Sequence, residues 1–390
     1  MIGGFFMNNF KLLHLATISL SALLIVSCTK ELGNNQPQLD KNARVSMLKS
    51  KSSTPISASV KVYATGLNNP RGLKFGPDGK LYVAEAGTGG KTSTVGTCTQ
   101  VVFPVGPYTG SLTSGRISRI DANGVRSTVT DQLPSSQANE IIGGDVEGVA
   151  DVEFVGNTLY ALLAGAGCSH GVATVPNGIV KVEANGSWSM IANLSAFQMA
   201  NPVASPEEDD FEPDGTWYSM INVRGDLYAV EPNHGELVKV TTGGSVSRVV
   251  DISAQFGHIV PTAIAYHGNF YVGNLNPFPI TGGASKIYKI TPSGQMKEDL
   301  SGLNTVLGLV FDSQDRMYVL EMTAGAPFPT PGLGRILRVE PSGKKTVIAS
   351  GLSFPTGMTM GPDGKLYVSN VGFSPAAIGG GQVLQVTISN

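Results

Sequence analysis

Gly72-Leu73-Lys74-Phe75-Gly76-Pro77-Asp78-Gly79-Lys80-Leu81-Tyr82-Val83-Ala84-Glu85 is the stretch from which the fold can be read. An apolar strand runs into Gly76-Pro77-Asp78-Gly79, and a second strand leaves it. Proline sets φ and glycine supplies a positive φ, so these four residues make a tight turn. The same turn returns at Gly361-Pro362-Asp363-Gly364. The strand around Tyr82 returns at Leu159-Tyr160-Ala161, Leu227-Tyr228-Ala229, Phe270-Tyr271-Val272, Met317-Tyr318-Val319 and Leu366-Tyr367-Val368. Six of the 11 tyrosines occupy this one position, at spacings of 78, 68, 43, 47 and 49 residues. The last three spacings are the length of a four-stranded blade, and the first two are a blade plus insertions.

Each Tyr strand is followed by a third alternating strand, as at Arg116-Ile117-Ser118-Arg119-Ile120 and Ile336-Leu337-Arg338-Val339. A second tight turn then comes at Asn123-Gly124, Asn185-Gly186, Gly243-Gly244, Ser293-Gly294 and Ser342-Gly343. A short fourth strand ends the unit. Four antiparallel strands repeated six times predict an all-β, six-bladed, NHL-like β-propeller. The sixth unit stops at Asn390 with three strands, and the lone strand Ser59–Ala64 precedes the first unit. That strand is expected to complete the last blade and remove an open edge.

In this architecture the loops joining strands 1–2 and 3–4 leave one face, and here they are all tight turns. The loops joining strands 2–3, and each blade to the next, leave the other. They hold the insertions 87–114, 131–147, 164–178, 193–216, 275–285, 323–334 and 372–381. Long loops on a rigid scaffold carry binding, so the 2–3 face is the expected functional face.

The Tyr strands end in Glu85, Leu163, Glu231, Asn274, Glu321 and Asn370. A ring of Glu85, Glu231, Asn274, Glu321 and Asn370 offers oxygen ligands for a hard cation such as Ca²⁺. The plainer reading is that each caps its own loop through backbone N–H groups. The acidic run 207–214 lies on the same face, as a cation or basic-ligand site or as a solvated stretch. His170, His234 and His258 also fall in these loops, and Glu231 with His234 is the tightest pairing of acid and imidazole. Glu231, His234 and His258 are therefore the candidate catalytic residues.

The net charge of −2, with no Lys/Arg-rich run after residue 61, argues against nucleic acid as a partner. The N-terminus reads as an export signal: Lys11, then a mostly apolar run from Leu12 to Val26, ending in Ile25-Val26-Ser27-Cys28. That ending is similar to a bacterial lipobox. It predicts a signal peptide over 1–27, lipidation of Cys28, a flexible tether over 28–56 and a propeller over 57–390. The location is then the bacterial envelope, with the lipid bilayer contacted through the N-terminal lipid alone. Cys98 and Cys168 remain, and in an oxidising compartment they either pair or stay as two buried thiols.

The run from Asn69-Pro70-Arg71 to Gly87 resembles the opening blade of the ScyD/ScyE family, and Asp210-Phe211-Glu212-Pro213-Asp214-Gly215 stands where that family has an acidic segment. Pro261-Thr262 and Pro355-Thr356-Gly357 also fit. The resemblance runs from about residue 60 to the C-terminus and implies a propeller without implying a reaction. The family pattern would put paired cysteines in the first long loop. Here only Cys98 is there, with Cys168 as a partner from the next blade.

More remotely, the chain resembles calcium-dependent lactonases of the SMP-30 and paraoxonase type, whose ligands stand at the entrances to the inner strands. The corresponding positions here are Arg71, Ala150-Asp151, Thr262, Leu307 and Thr356, with Asp214 nearby. Arg71 would set a positive charge beside the metal, which counts against that chemistry. Arg71 is expected instead to pair with Asp151 or to clamp an anionic ligand, which makes Arg71, Asp151 and Asp214 the ligand-binding candidates. No G-x-S-x-G, H-E-x-x-H or phosphate-cradling loop is present. The sequence therefore favours a binding or scaffold propeller for a small molecule, glycan or peptide. The alternative is a metal-dependent hydrolase or lactonase.

Overall fold

The repeated strand pattern closes into a ring of six antiparallel sheets. The computed structural model describes residues 57–389, apart from 143, 144, 210, 326 and 374–377. The signal segment 1–27, Cys28 and the tether 28–56 lie outside the described residues. Blade 3 shows the unit at its plainest: Ser219–Val223, Asp226–Glu231, Glu236–Val240 and Val246–Asp251 pair in chain order. Met220 faces Ala229 and Ala229 faces Val238, so one apolar row crosses the sheet, as the two-residue period of a strand requires. In blade 6, Gly357–Met360, Leu366–Asn370 and Gly381–Ser389 supply three strands. Ser57–Leu67 supplies the outer one, with Val60 opposite Val386. The ring is closed as expected.

The recurring tyrosine has a packing reason. Tyr82 sits edge-on to Phe154 of the next blade at 5.0 Å, Tyr271 against Phe311 at 4.9 Å, and Tyr367 against Phe75 at 4.9 Å. Such a pair contributes about 0.5–1.5 kcal/mol beyond its buried area. The hydroxyls of Tyr82 and Tyr367 also donate to Asp78 and Asp363 of the tight turns. One position thus ties strand, turn and neighbouring blade together. The core lies between blades: Leu162, Ile179 and Leu194 of blade 2 meet Leu227, Ala229 and Val238 of blade 3 around the buried Trp217.

The six inner strands surround a narrow axial cavity of about 100 Å³, lined among others by Gly72, Asp151, Tyr218, Ala263, Gly308 and Thr356. Gly72 is required there, because a Cβ would lie 1.9 Å from Asp151 Oδ1.

Blade 1 departs from the expectation. Segments 109–114 and 131–137, read above as loop, extend the third and fourth strands to Thr109–Ile120 and Arg126–Gln137. A fifth strand, Val146–Glu147, adds to their edge. Ser, Thr and Gly dominate this ribbon, so no apolar alternation advertised it. In the insertion 193–216 a short helix, Leu194–Ala200, is capped by Asn193, whose side chain accepts from Ala196 N at 2.8 Å.

Candidate functional site

The strand-end residues proposed as a cation ring serve as caps. Glu85 accepts from Asn68 N at 2.6 Å and from Arg116 at 2.8 and 2.5 Å. Glu231 accepts from the backbone of Thr216 at 2.7 Å and from that of His234. Asn274 accepts from Lys286 N at 2.7 Å, Glu321 from Asn304 N at 2.8 Å and Asn370 from Ser353 N at 2.9 Å. Each serves the chain entering or leaving its own blade, and that local need is why the position recurs. Blade 2 has Leu163 there, and Asn177 takes over by accepting from Ala166 N at 2.7 Å. Glu231 and His234 meet through the histidine backbone, and the ring Nε2 of His234 lies 3.1 Å from the Glu212 carbonyl oxygen.

Three other groups converge. Glu147, His170 and Glu212 each present one ligand atom, and these atoms lie within 4.8 Å of one another. His170 Nε2 is 3.2 Å from Glu147 Oε2 and 3.1 Å from Glu212 Oε2. Its other nitrogen, Nδ1, is 3.2 Å from Ser169 Oγ, which donates to Asp214 Oδ2 at 2.7 Å. The Tyr108 hydroxyl reaches Oε1 of both glutamates at 3.3 Å. His170 is fully buried and Glu147 is the most exposed of the three at 13 %. Burial opposes a charge on His170, and the two glutamates outweigh it by hydrogen bonding and Coulomb attraction, raising its pKa to about 10.

Three stretches of chain build this centre. Glu147 stands on the added strand of blade 1, with its backbone paired to Ser136. His170 ends the short 3-10 turn Cys168–His170, and a disulfide joins Cys98 of the blade 1 loop to Cys168, Cα to Cα 6.3 Å. Glu212 and Asp214 come from the acidic run, whose Glu207 carboxylate meets His258 Nε2. Acids of that run thus turn inward, which the density of charge alone did not reveal. Burial lowers the pKa of His258, with Glu207 acting in the opposite sense.

Beside this centre is the axial mouth. Arg71 donates to Val146 O at 2.7 Å and to Asp145 Oδ1 at 3.3 Å. The expected pairing of Arg71 with Asp151 is not made: Asp151 folds against Gly72 and accepts from Val152 N and Met220 N, each at 2.8 Å. Burial raises Asp145 to about 6, against the pull of Arg71, and raises Asp151 to about 7, against its backbone hydrogen bonds. Tyr218 donates to Thr356 O at 2.9 Å, joining blade 3 to blade 6 across the mouth. Glu147, Asp145 and Tyr108 were not singled out from the sequence. They stand in Gly- or Pro-rich loops, and only folding brings Glu147 and Tyr108 to His170 and Asp145 to Arg71.

No protein-family model matches the sequence, and no curated protein matches it. Solved structures do match. A protein of unknown function from Bacteroides thetaiotaomicron shares 11% identity, with 86% of this chain and 76% of that one covered at a TM-score of 0.54. The PQQ-bound aldose sugar dehydrogenase of Streptomyces coelicolor shares 14%, covering 86% and 100%, at 0.53. A gluconolactonase from Xanthomonas campestris shares 9%, covering 85% and 90%, at 0.50. At these identities the likeness establishes the six-bladed β-propeller fold.

Proposed function

We propose that the protein is a metal-dependent hydrolase of the lactonase type, working on the 2–3 face beside the axial mouth. The observation that carries this reading is the convergence of Glu147, His170 and Glu212. Their donor set fits a divalent cation. Three protein ligands leave coordination positions for water and substrate, as catalytic zinc sites do. Glu147 Oε2 is buried facing His170 Nε2 at 3.2 Å, and a cation would take the place of the imidazole proton between them. Ser169 holds the far nitrogen of His170, and Tyr108 holds the far oxygens of both carboxylates, the outer support that metal ligands need. An imidazole in the set favours Zn²⁺ or Mn²⁺ over Ca²⁺, which takes oxygen ligands. A cation held there would supply Lewis acidity and a water ionisable near neutral pH. Arg71, whose partner Val146 adjoins Glu147, offers guanidinium donors to an oxygen of the substrate. The gluconolactonase likeness agrees with this reading at the level of fold.

Elemental analysis and a lactone and ester panel test it. The expected result is about one equivalent of Zn²⁺ or Mn²⁺ per chain, with turnover that Glu212→Gln abolishes. A chain that retains no cation after dialysis against Zn²⁺, Mn²⁺ and Ca²⁺ overturns the reading.

A second reading, a binding propeller of the ScyD/ScyE type, is favoured by the Tyr218–Thr356 bond, which closes the mouth of the axial cavity. It predicts ligand capture without turnover, lost when 193–216 is deleted. In either case we propose an exported protein held in the bacterial envelope by a lipid on Cys28. Cys28→Ser should move it from the membrane to the soluble fraction.

A further inference from the structure

Behind the Glu–His–Glu centre and sharing none of its ligand side chains, the blade 1 ribbon borders a groove of about 870 Å³, within the ~300–1,000 Å³ range of small-ligand pockets. Its floor is a small antiparallel patch. Thr92 and Gly110 exchange backbone hydrogen bonds at 2.9 and 2.8 Å, and Gly110 pairs in turn with Ser136. Glycine is required in this floor by the backbone packed beneath it. A Cβ on Gly90 would lie 1.9 Å from the Gly110 carbonyl carbon, and one on Gly110 would lie 2.4 Å from His170 O. Both glycines thereby let the backbone segments beneath the groove pack against one another.

The walls have an unusual chemistry. Ligand pockets are ordinarily apolar with a few polar groups. Here hydroxyls and amides dominate, with Pro107 and Ala138 as the apolar members. Lys91 and Glu140 balance each other in charge, so no cationic cluster exists to hold a phosphate or sulfate. Thr88, Thr92 and Gln137 line the groove, and their side chains make no hydrogen bond to the described residues, which leaves their donors and acceptors open to a ligand. A ligand that matches such walls is itself uncharged, bulky and covered in hydroxyls.

We infer that this groove binds a neutral oligosaccharide, through Thr88, Thr92 and Gln137 over the glycine floor. It goes beyond the hydrolase reading and does not depend on it, because none of these residues belongs to the metal centre. The experiment uses the full chain, solubilised in detergent and treated with EDTA, so that a failed metal site leaves the result unaffected. Malto-, cello-, xylo-, manno- and chitotriose are titrated by calorimetry beside trigalacturonate and a neutral tripeptide. At least one neutral trisaccharide should bind, and the charged sugar and the peptide should not. Thr92→Trp, at an exposed position, should fill the groove and abolish binding with an unchanged melting temperature. Gln137→Ala should weaken it about tenfold, the effect of one lost hydrogen-bonded group. Heat from none of the neutral sugars, or unaltered affinity in Thr92→Trp, overturns the inference.

Discussion

Blades 1–3 and blades 4–6 share the four-stranded unit and, Leu163 of blade 2 apart, the strand-end caps, and they differ on one face. In blades 4–6 the long loops bond largely at home, and their links outward are single backbone bonds, as from Gly379 N to Asn68 Oδ1 and from Thr305 N to Ser285 Oγ, each at 2.8 Å. Asn276 donates to Ser285 Oγ at 2.8 Å and Thr330 N to Thr323 Oγ1 at 3.3 Å. Where two of these loops meet, at Phe278 and Phe328, the contact is apolar, with centroids 5.6 Å apart. In blades 1–3 the loops bond across blades. Tyr108 reaches Glu212, His170 reaches Glu147 and Glu212, and Cys98 is joined to Cys168. The repeat explains the scaffold, and chemistry gathers where the chain departs from the repeat.

The largest expected effect lies at the centre itself. His170→Ala should remove both the bound cation and lactone turnover, while Asn276→Ala in the other half should change neither. Elemental analysis and turnover decide it, and a cation retained by His170→Ala would dissolve the contrast. The caps come next. Glu85→Ala and Glu321→Ala, one in each half, should each cost about 3–5 kcal/mol in urea unfolding, because Arg116 and Arg335 lose their buried partners. Similar values would establish that the scaffold is alike in both halves, and clearly unequal values would break that statement.

The disulfide belongs to one half alone. Replacing Cys98 and Cys168 by Ser opens a closure spanning 70 residues and should cost about 2–4 kcal/mol, read from melting under non-reducing conditions. It should also weaken cation binding, because Cys168 opens the turn that presents His170. A variant that melts with the wild type would show that the loops hold each other without the bond.

The smallest effect is a slope. The pKa of Asp151 is raised from 3.8 to about 7 in the folded chain, so folding takes up a proton between those values. Its stabilising contribution is complete below about pH 4 and is lost as pH rises through about 7. Asp151→Asn should flatten the fall in melting temperature over that interval, and an unchanged slope would assign the fall to other groups such as Asp145.

The scaffold was legible in the sequence because its determinants are local and repeated. Gly76-Pro77-Asp78-Gly79 makes a turn wherever it stands, and Tyr82 and its five counterparts announce the blade by recurrence. The strand deficit after Leu384 and the surplus at Val60 announced the closure. The blade 1 ribbon was not legible, since Thr109-Gly110-Ser111 carries no apolar alternation. The candidate site was less legible: loop lengths pointed to the 2–3 face, and the residues that the structure brings together there are Glu147, His170 and Glu212, not the strand-end acids.

Glu85, Glu231 and Glu321 attracted attention by recurring, and recurrence marks what every blade needs. Glu147, His170 and Glu212 occur once each, in three loops whose approach depends on the ring closing and on side chains meeting across blades. Sequence by itself determined the blade and the number of blades, because hydrophobic period and turn chemistry act over a few residues. Only the tertiary structure decided which acids surround His170, that Arg71 turns to Asp145, and that Tyr218 spans the mouth to Thr356. Those contacts join residues far apart in the chain, and no local preference encodes them.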